Sequence, residues 1–571
     1  NLESAIFGTL SFILVAIGFY FIFRSWLGAV LPLAVASLAI VVAFGIMALI
    51  GAPAGMLTPI IPSFLISVGV TPSVFLLTEI YQQRMRGAPL QQAIRTAFKE
   101  SGSTSAASVL TTAAALFTFS VSDIKPVQDA GIIMACGLIA SLVIALLLIP
   151  AVLSRKADLA ISPRVHDILT GRVRMMERLA TVVMLHWKLL LLLLGVLVVL
   201  AGYGASQVRT DYFYVGMFKE RSEIRKAYTY VDDSLRGSAA LELVFDTAEK
   251  GAESVKEPAV LREMQALQLR LKQQFPALSV NTYSVADVVM EINQALHEGK
   301  SEFYRIPDTK REVAEALFLF ESSGNDQLDN MVNADYSRAR VNVRVKYRPD
   351  SEYQPLFAYV DRYAKTELPQ RLGNTSVVVT GVIPLWSRLT GYLSATEIQT
   401  ISFSALIVLA AMIYVFRSLW IALVMAVCNL VPVLFTLGAM GYMGVFLDPF
   451  TLLVAAIAIG VLDDDTIHFV KNVLTHYRRE GDMKRALTQA YAGAGQAMLM
   501  LSAVLVCGFL VYTVSQVASL AKFGAMTATA IGFGALCEFF FTPAVLIACE
   551  RLGLLKADVS AVQASTTAPQ P

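Results

Sequence analysis

A helix needs roughly 20 apolar residues in a row to cross the hydrocarbon core of a bilayer, and this 571-residue chain is dominated by runs of that kind. About eleven can be marked, with approximate limits 5–23, 27–50, 57–80, 103–121, 130–153, 186–206, 396–416, 419–443, 450–473, 497–514 and 523–548. With 56% hydrophobic and only 16% charged residues, the composition is not that of a soluble domain. The chain reads as a polytopic α-helical membrane protein. A formal net charge of +2 leaves no whole-chain electrostatic footprint for nucleic acid, so charge has to be argued loop by loop.

Lys and Arg collect in cytoplasmic loops, which sets the sidedness. Arg84, Arg86, Arg95 and Lys99, then Arg155 to Arg178, and later Lys471, Arg478, Arg479, Lys484 and Arg485 fall on one side. The short loops Gly51 to Met56 and Gly444 to Pro449 carry neither residue and are placed outside. The long polar stretch 207–392 falls outside by the same count. It mixes amphipathic helix patterns (Glu223 to Leu235, Pro258 to Gln274, Gln354 to Leu368) with alternating strand patterns (Ala240 to Phe245, Ala339 to Val345), as an exported α+β domain would. Asp123, Asp129 and Asp448 flank spans on that side and are expected to be solvated loop charges. The five cysteines all sit in apolar runs without ligand spacing, and no metal site or disulfide framework is implied.

The chain is also written twice. Phe23-Arg24-Ser25 recurs as Phe416-Arg417-Ser418, an offset of 417 − 24 = 393, and the offset then holds without a gap. Gly45 meets Gly438, Gly51 meets Gly444, Gly131 meets Gly524, and Pro150-Ala-Val-Leu153 meets Pro543-Ala-Val-Leu546. Parallel repeats of this kind mark transporters, with sites near the midplane where the halves meet. The divisions expected are a first transmembrane repeat at 1–156, a basic linker at 157–185, a single helix at 186–206, the exported domain at 207–392, a second repeat at 393–556 and a disordered tail at 557–571. By symmetry, one more span and one more exported domain are expected to precede Asn1.

Within the run 450–473 stand Asp463, Asp464, Asp465, Thr466 and His468. At 1.5 Å per residue Asp464 lies roughly 20 Å from Phe450, past the middle of the bilayer. Each aspartate there costs at least ~2.5 kcal/mol on insertion, so the cluster needs partners or water. Successive residues diverge by about 100°, so the three cannot share one surface, whereas Asp464 and His468 share a face. Carboxyls crowded in poor solvent cannot all ionise together. These five residues are therefore candidates for a proton relay, against the alternative of a structural polar cluster. The offset maps Thr71-Pro72-Ser73-Val74-Phe75 onto Asp464 to His468, which leaves the first half hydroxyls and a proline that would free backbone carbonyls. Thr71 and Ser73, with the stripe through Thr104 and Ser108, are candidate positions facing the acids. Glu538 is a second intramembrane carboxylate and an accessory relay candidate.

Asp464-Asp465-Thr466-Ile467-His468-Phe469 resembles a signature of exporters in the resistance-nodulation-division superfamily, close to its MMPL branch. Glu538 ahead of Pro543-Ala-Val-Leu546, with Phe218 to Arg225 and Asp335 to Arg340, is similar to further segments of that family. The resemblance implies two transmembrane repeats, a ferredoxin-like porter domain outside, and proton-driven export of a hydrophobic or lipid-like substrate across the inner membrane. It implies no cofactor beyond the proton gradient, with sodium left open, and membrane lipids, a homo-oligomer or a periplasmic protein as partners. Leu462-Asp463 departs from the family pattern, so Asp463 inherits no role. Pro72 and Phe75 stand where relatives keep an Asp and a His, so coupling is expected in the second half alone. A lipid or sterol sensor, or a protein-export accessory on the same fold, is the competing expectation.

Overall fold

The computed structural model describes residues 2–55, 57–155, 163–211, 214–235, 237–322 and 327–555; the expected tail 557–571 and the start of the expected linker lie outside them. Two compact units emerge, one formed by Asn1–Thr210 with Tyr392–Pro571, the other by Asp211–Gly391.

In the first unit the helices are α1 (Leu2–Phe23), α2 (Trp26–Leu49), α3 (Ile60–Ser67), α4 (Thr71–Met85), α5 (Leu90–Ala97), α6 (Ser103–Phe117), α7 (Lys125–Leu153) and α8 (Pro163–Ala205), which kinks at His186. In the second unit α9 (Glu223–Ser234), α10 (Pro258–Gln274), α11 (Val285–Leu296), α12 (Lys310–Ser322), α13 (Asp350–Arg362) and α14 (Leu368–Leu372) accompany four strands. Then follow α15 (Val382–Phe416), α16 (Leu419–Met443), α17 (Leu452–Glu480), α18 (Met483–Ala490), α19 (Gln496–Leu510), α20 (Ala518–Leu536) and α21 (Thr542–Arg551).

Among the described residues nine helical segments are long and apolar enough to cross a membrane. The two expected spans outside that count are α1, whose described apolar stretch Gly8–Phe21 is short, and α17, whose apolar stretch carries the three aspartates. The span expected at 57–80 is two helices. Pro72 sits in the first turn of α4, and the Val68 carbonyl that its missing N–H would have served accepts from Thr71 N at 3.0 Å.

Element boundaries in the two parts of the first unit keep the sequence offset. α5, a π-helical turn at Phe98–Gly102, α6 and a 3₁₀ turn at Thr118–Val121 are followed 393 residues later (483 − 90 = 393) by α18, a π-helical turn at Tyr491–Gly495, α19 and a 3₁₀ turn at Val511–Val514. Arg24 and Arg417 both take positive φ, 46° and 52°, and both donate N–H four residues back, to Tyr20 O at 2.8 Å and Ile413 O at 2.9 Å. A left-handed arginine is costly for a residue with a Cβ. Its recurrence marks the same tight corner twice.

Two of the flanking acids are not solvated. Asp129 is buried and pairs with Lys125 Nζ at 2.8 Å. Asp448 is buried because its Oδ1 accepts from Phe450 N at 3.0 Å and Thr451 N at 2.8 Å, closing the first turn of α17. Asp123 is exposed.

The second unit carries an antiparallel sheet of β1 (Ala239–Asp246), β2 (Asn281–Ser284), β3 (Arg338–Val345) and β4 (Ser376–Thr380) in the order β2-β3-β1-β4. With α10 between β1 and β2 and α13 between β3 and β4, this is the split βαβ order of ferredoxin-like sheets, with α11 and α12 added between the inner pair. Alternation decides the buried face: Leu241, Leu243 and Phe245 of β1 and Val341, Val343 and Val345 of β3 pack with Leu261, Met264, Leu267 and Leu271 of α10.

The membrane-type unit relies on glycine where α8 crosses α16. A Cβ at Gly438 would stand 2.7 Å from Ala201 O, and one at Gly204 would stand 2.6 Å from Gly438 O. Small residues let two backbones approach this closely in the absence of a hydrophobic driving force between helices. The related position in α2, Gly45, has nothing within 4 Å. We therefore expect Gly438→Val to destabilise the solubilised protein by about 1–3 kcal/mol through overpacking, and Gly45→Val to leave its thermal unfolding midpoint unchanged.

Candidate functional site

α17 is unbroken from Leu452 to Glu480 and ends at Gly481, whose φ of 66° closes the last turn. Every residue from Leu452 to Val470 on it is buried, the three aspartates included. Their side chains leave the helix in three directions, and each meets a different neighbour.

Asp464 meets α6. Its Oδ1 accepts from Ser108 Oγ and from Thr112 Oγ1, the latter at 3.2 Å. Thr112 Oγ1 also lies 2.9 Å from Gly460 O, and a Cβ at Gly460 would come within 2.6 Å of the Thr112 methyl. Gly460 thus lets α6 close on α17 at the turn where the hydroxyls reach the acid. One step further along, Lys471 Nζ donates to Thr104 Oγ1 at 2.5 Å. Of the polar stripe on α6, Thr104, Ser108 and Thr112 face α17, while Thr111 returns its hydrogen to Ala107 O at 2.8 Å.

Asp465 meets α19, where Ser502 Oγ donates to its Oδ2 at 3.4 Å. Asp463 meets α16, where Asn429 Nδ2 donates to its Oδ1 at 3.4 Å. Thr466 Oγ1 lies 2.5 Å from Asn429 Oδ1 and 2.5 Å from Glu538 Oε1. Glu538 is buried on a π-helical turn, Cys537–Phe541, that widens the junction of α20 and α21, and Thr542 Oγ1 donates to the same Oε1 at 3.2 Å. The corresponding stretch of the first half, 144–148 (537 − 393 = 144), lies inside the unbroken α7. Such π turns occur disproportionately at functional sites. Here it presents a carboxyl to the face of α17 opposite α6. Gly534, one turn before, lacks the Cβ that would collide with Leu462.

His468 shares the Asp464 face, as its spacing predicts, but stacks on Phe75 of α4 with ring centroids 3.8 Å apart and planes 10° from parallel. Its Nε2 has no hydrogen-bond partner. Thr71 and Ser73 are buried nearby in sequence to Phe75, yet neither hydroxyl bonds an acid, and Ser73 Oγ has no partner at all. The structure therefore brings Ser108 to Asp464 and Thr466 to Glu538, and leaves Thr71, Ser73 and Thr104 off the carboxyls.

Among the described residues no ion pair reaches Asp463, Asp464, Asp465 or Glu538. Hydroxyls and one amide are their partners, and Asp463 Oδ2, Asp465 Oδ1 and Glu538 Oε2 have none. Without a cation, ionising any of these groups rests on hydrogen bonds alone, which stabilise a carboxylate more than its neutral form. Asn429, Thr112, Ser502 and Thr542 complete the site. A further acid, Glu397 of α15, is 7% exposed with both carboxyl oxygens unpartnered. Thr112 belongs to the stripe on α6 that the sequence shows, and for Asn429 and Ser502 the signal was a lone polar residue inside an apolar run.

Long apolar helices that bury acids held by hydroxyls and an amide, with no ion pair to them among the described residues, define an integral membrane protein. The chain matches the model described as the MMPL family over residues 2–184 and 254–565, and it belongs to that family, whose members are transporters rather than enzymes. It is 23% identical over 372 residues, covering 64% of this chain and 91% of the relative, to a protein of Methanocaldococcus jannaschii described as "Putative membrane protein MJ1562". The resemblance drawn from Asp464 to Phe469 is thus borne out at the level of the family.

If the Ser108 and Thr112 hydroxyls are what satisfies Asp464, removing them in Ser108→Ala/Thr112→Val should cost about 1–3 kcal/mol by leaving a buried acceptor unpaired. Adding Asp464→Leu should then recover most of that loss. Thermal unfolding of the solubilised protein checks both, and equal stability of the double and triple variants would contradict the assignment.

Proposed function

We propose that the chain is a proton-driven exporter of a hydrophobic or lipid-like substrate across the plasma membrane, with the unit Asp211–Gly391 on the outer side and the basic loops in the cytoplasm. Its membrane unit consists of two parallel repeats. The matching boundaries of α5 to α6 with α18 to α19, and the paired left-handed arginines, support the duplication.

Asp464 and Asp465 carry the protons. The observation that bears most weight is that the hydroxyl donors to Asp464, Ser108 and Thr112, come from the first repeat while the acid belongs to the second. When Asp464 is ionised, both hydroxyls are needed as donors, and charge-assisted bonds draw α6 onto α17. When it takes a proton it becomes a donor itself, one hydroxyl is released, and the seam between the repeats loosens. Proton binding and helix contact are thereby one event, as alternating access between two repeats requires. Asp465, facing α19, performs the same exchange within the second repeat. Thr466 ties α17 to Glu538, and His468 is held beside the relay by its stack on Phe75. Hydroxyl and carboxylate oxygens are ligands that sodium also accepts, so the test is made without it.

Full-length protein in vesicles enclosing a pH dye, in sodium-free buffer with acid outside, is given a fluorophore-labelled lysophospholipid as probe. We expect probe-dependent proton entry in the native protein and a loss of at least about tenfold in Asp464→Asn/Asp465→Asn, the scale of 1.4 kcal/mol or more in the coupling step. Native rates in the double variant would refute the assignment. Probe binding without any proton movement in the native protein would overturn pumping in favour of a sensor or an accessory.

A further inference from the structure

Thr466 has one hydroxyl hydrogen and two close oxygen neighbours. Asn429 Oδ1 and Glu538 Oε1 each lie 2.5 Å from its Oγ1, while its own Leu462 O lies at 3.0 Å. Two unprotonated acceptors cannot both be served by one hydrogen. One neighbour must itself donate to Thr466.

There are two ways to arrange this. In the first, Glu538 is protonated and donates to Thr466, Thr466 donates to Asn429 Oδ1, and Asn429 Nδ2 donates to an ionised Asp463 at 3.4 Å. In the second, the Asn429 amide is turned over, so that its nitrogen donates to Thr466 and Thr466 donates to an ionised Glu538. The amide oxygen then faces Asp463, which must carry a proton in order to donate to it. The oxygen and nitrogen of an amide are interchangeable in shape, so the same site accommodates both. With both acids ionised neither arrangement closes, because two bare acceptors are left face to face.

We propose that Asp463 and Glu538 are one coupled proton-binding pair, linked through Asn429 and Thr466, that retains at least one proton between them, with the orientation of the Asn429 amide recording which acid holds it. The pair lies on the face of α17 away from Asp464 and gives Asp463 a role. As a device for transport it rests on the proton-coupled reading above; as a hydrogen-bond circuit it does not. When Glu538 gives up a proton and Asp463 takes one up, the amide turns and the total is unchanged. Asn429 acts here as a positioning residue, and so does Thr466.

The titratable groups around the pair are Asp464 and Asp465 on α17 itself, Cys428 on α16, Cys537 on the π turn and Tyr491 from the turn before α19. Among the described residues no Lys or Arg forms an ion pair with either member. Asp464 and Asp465 act on the pair through space. Asn429 links its members through bonds, and that difference makes the proposal testable.

The full-length protein in lipid nanodiscs is titrated while the infrared carbonyl band of protonated carboxyls is followed, the Glu538 component being the part that Glu538→Gln removes. In Asp463→Asn the new amide can serve as donor or acceptor, so Glu538 is freed from its obligation and its band disappears at a pH about one unit lower than in the native protein, the scale of a strongly coupled pair. In an Asn429→Leu background, adding Asp463→Asn should shift the band by less than a third of that. Thr466→Val, which keeps the shape of the side chain, should uncouple the acids in the same way and serves if Asn429→Leu does not fold. Two results would overturn the proposal: no shift in Asp463→Asn, or a full shift that persists without the link, which is the signature of simple charge repulsion. The readout involves no flux. A failure of Asp464 and Asp465 as carriers would show in the vesicle experiment and leave this one untouched.

Discussion

The carboxyl groups of Asp463, Asp464, Asp465 and Glu538, buried among apolar helices with no ion pair to any of them among the described residues, are the constraint from which the rest of this structure follows. Placing a charged group in such surroundings costs several kcal/mol unless it is compensated. In soluble cores the compensation is an arginine or a lysine. Here it is Ser108, Thr112, Ser502, Thr466 and Asn429, groups that are themselves neutral. An acid held by an ion pair is locked in its ionised form. An acid held by hydroxyls can exist in either form, because a hydroxyl donates to a carboxylate and accepts from a carboxylic acid with no more than a rotation. The partners of these acids are all of the second kind, hydroxyls and one amide.

That chemistry explains several features of the packing. α17 needs no cap or kink at its centre, because every backbone group is satisfied within the helix while the side chains point into three different neighbours. Gly460 and Gly534 lie on the two sides of the contact where a side chain would hold α6 or α20 away. The π turn at Cys537–Phe541 does for Glu538 what an ordinary turn could not, since the first half, lacking a carboxyl there, runs straight through as α7. Close backbone approach and a local change of helical pitch both serve the same few oxygen atoms.

Much of this could be read from the sequence. Hydrophobic length gave the helices, and the 393-residue offset predicted boundaries that recur to the residue between α5 and α18 and between α6 and α19. Period-two alternation found β1 and β3. What could not be read was the direction in which each polar residue points. Ser73 occupies the position equivalent to Thr466, yet its hydroxyl finds no partner, because Pro72 begins a new helix there and the turn before it changes the register. Asp448 has the sequence setting of a loop charge, and what buries it, its backbone partners at Phe450 and Thr451, is not written in the residue pattern. Asn429 carries no charge, but its place inside an apolar run is the same kind of signal as that of Glu538.

The two halves show a division of labour once their polar residues are compared at the common offset. Where the second half has Asn429, Asp463, Ser502, Glu538 and Thr542, the first has Ala36, Val70, Val109, Ala145 and Ile149. Where the first has Thr104, Ser108 and Thr112 along the face of α6, the second has Ala497, Leu501 and Leu505. Polar groups in hydrocarbon are individually costly, so a duplicated bundle that kept both sets in both halves would carry twice the cost for one site. The acids and most of their neutral donors, Asn429, Thr466, Ser502 and Thr542, lie in the second half, and the first contributes Ser108 and Thr112 to Asp464 where α6 lies along α17. The α6 contact is where one acid, Asp464, accepts from donors of the other half, Ser108 and Thr112.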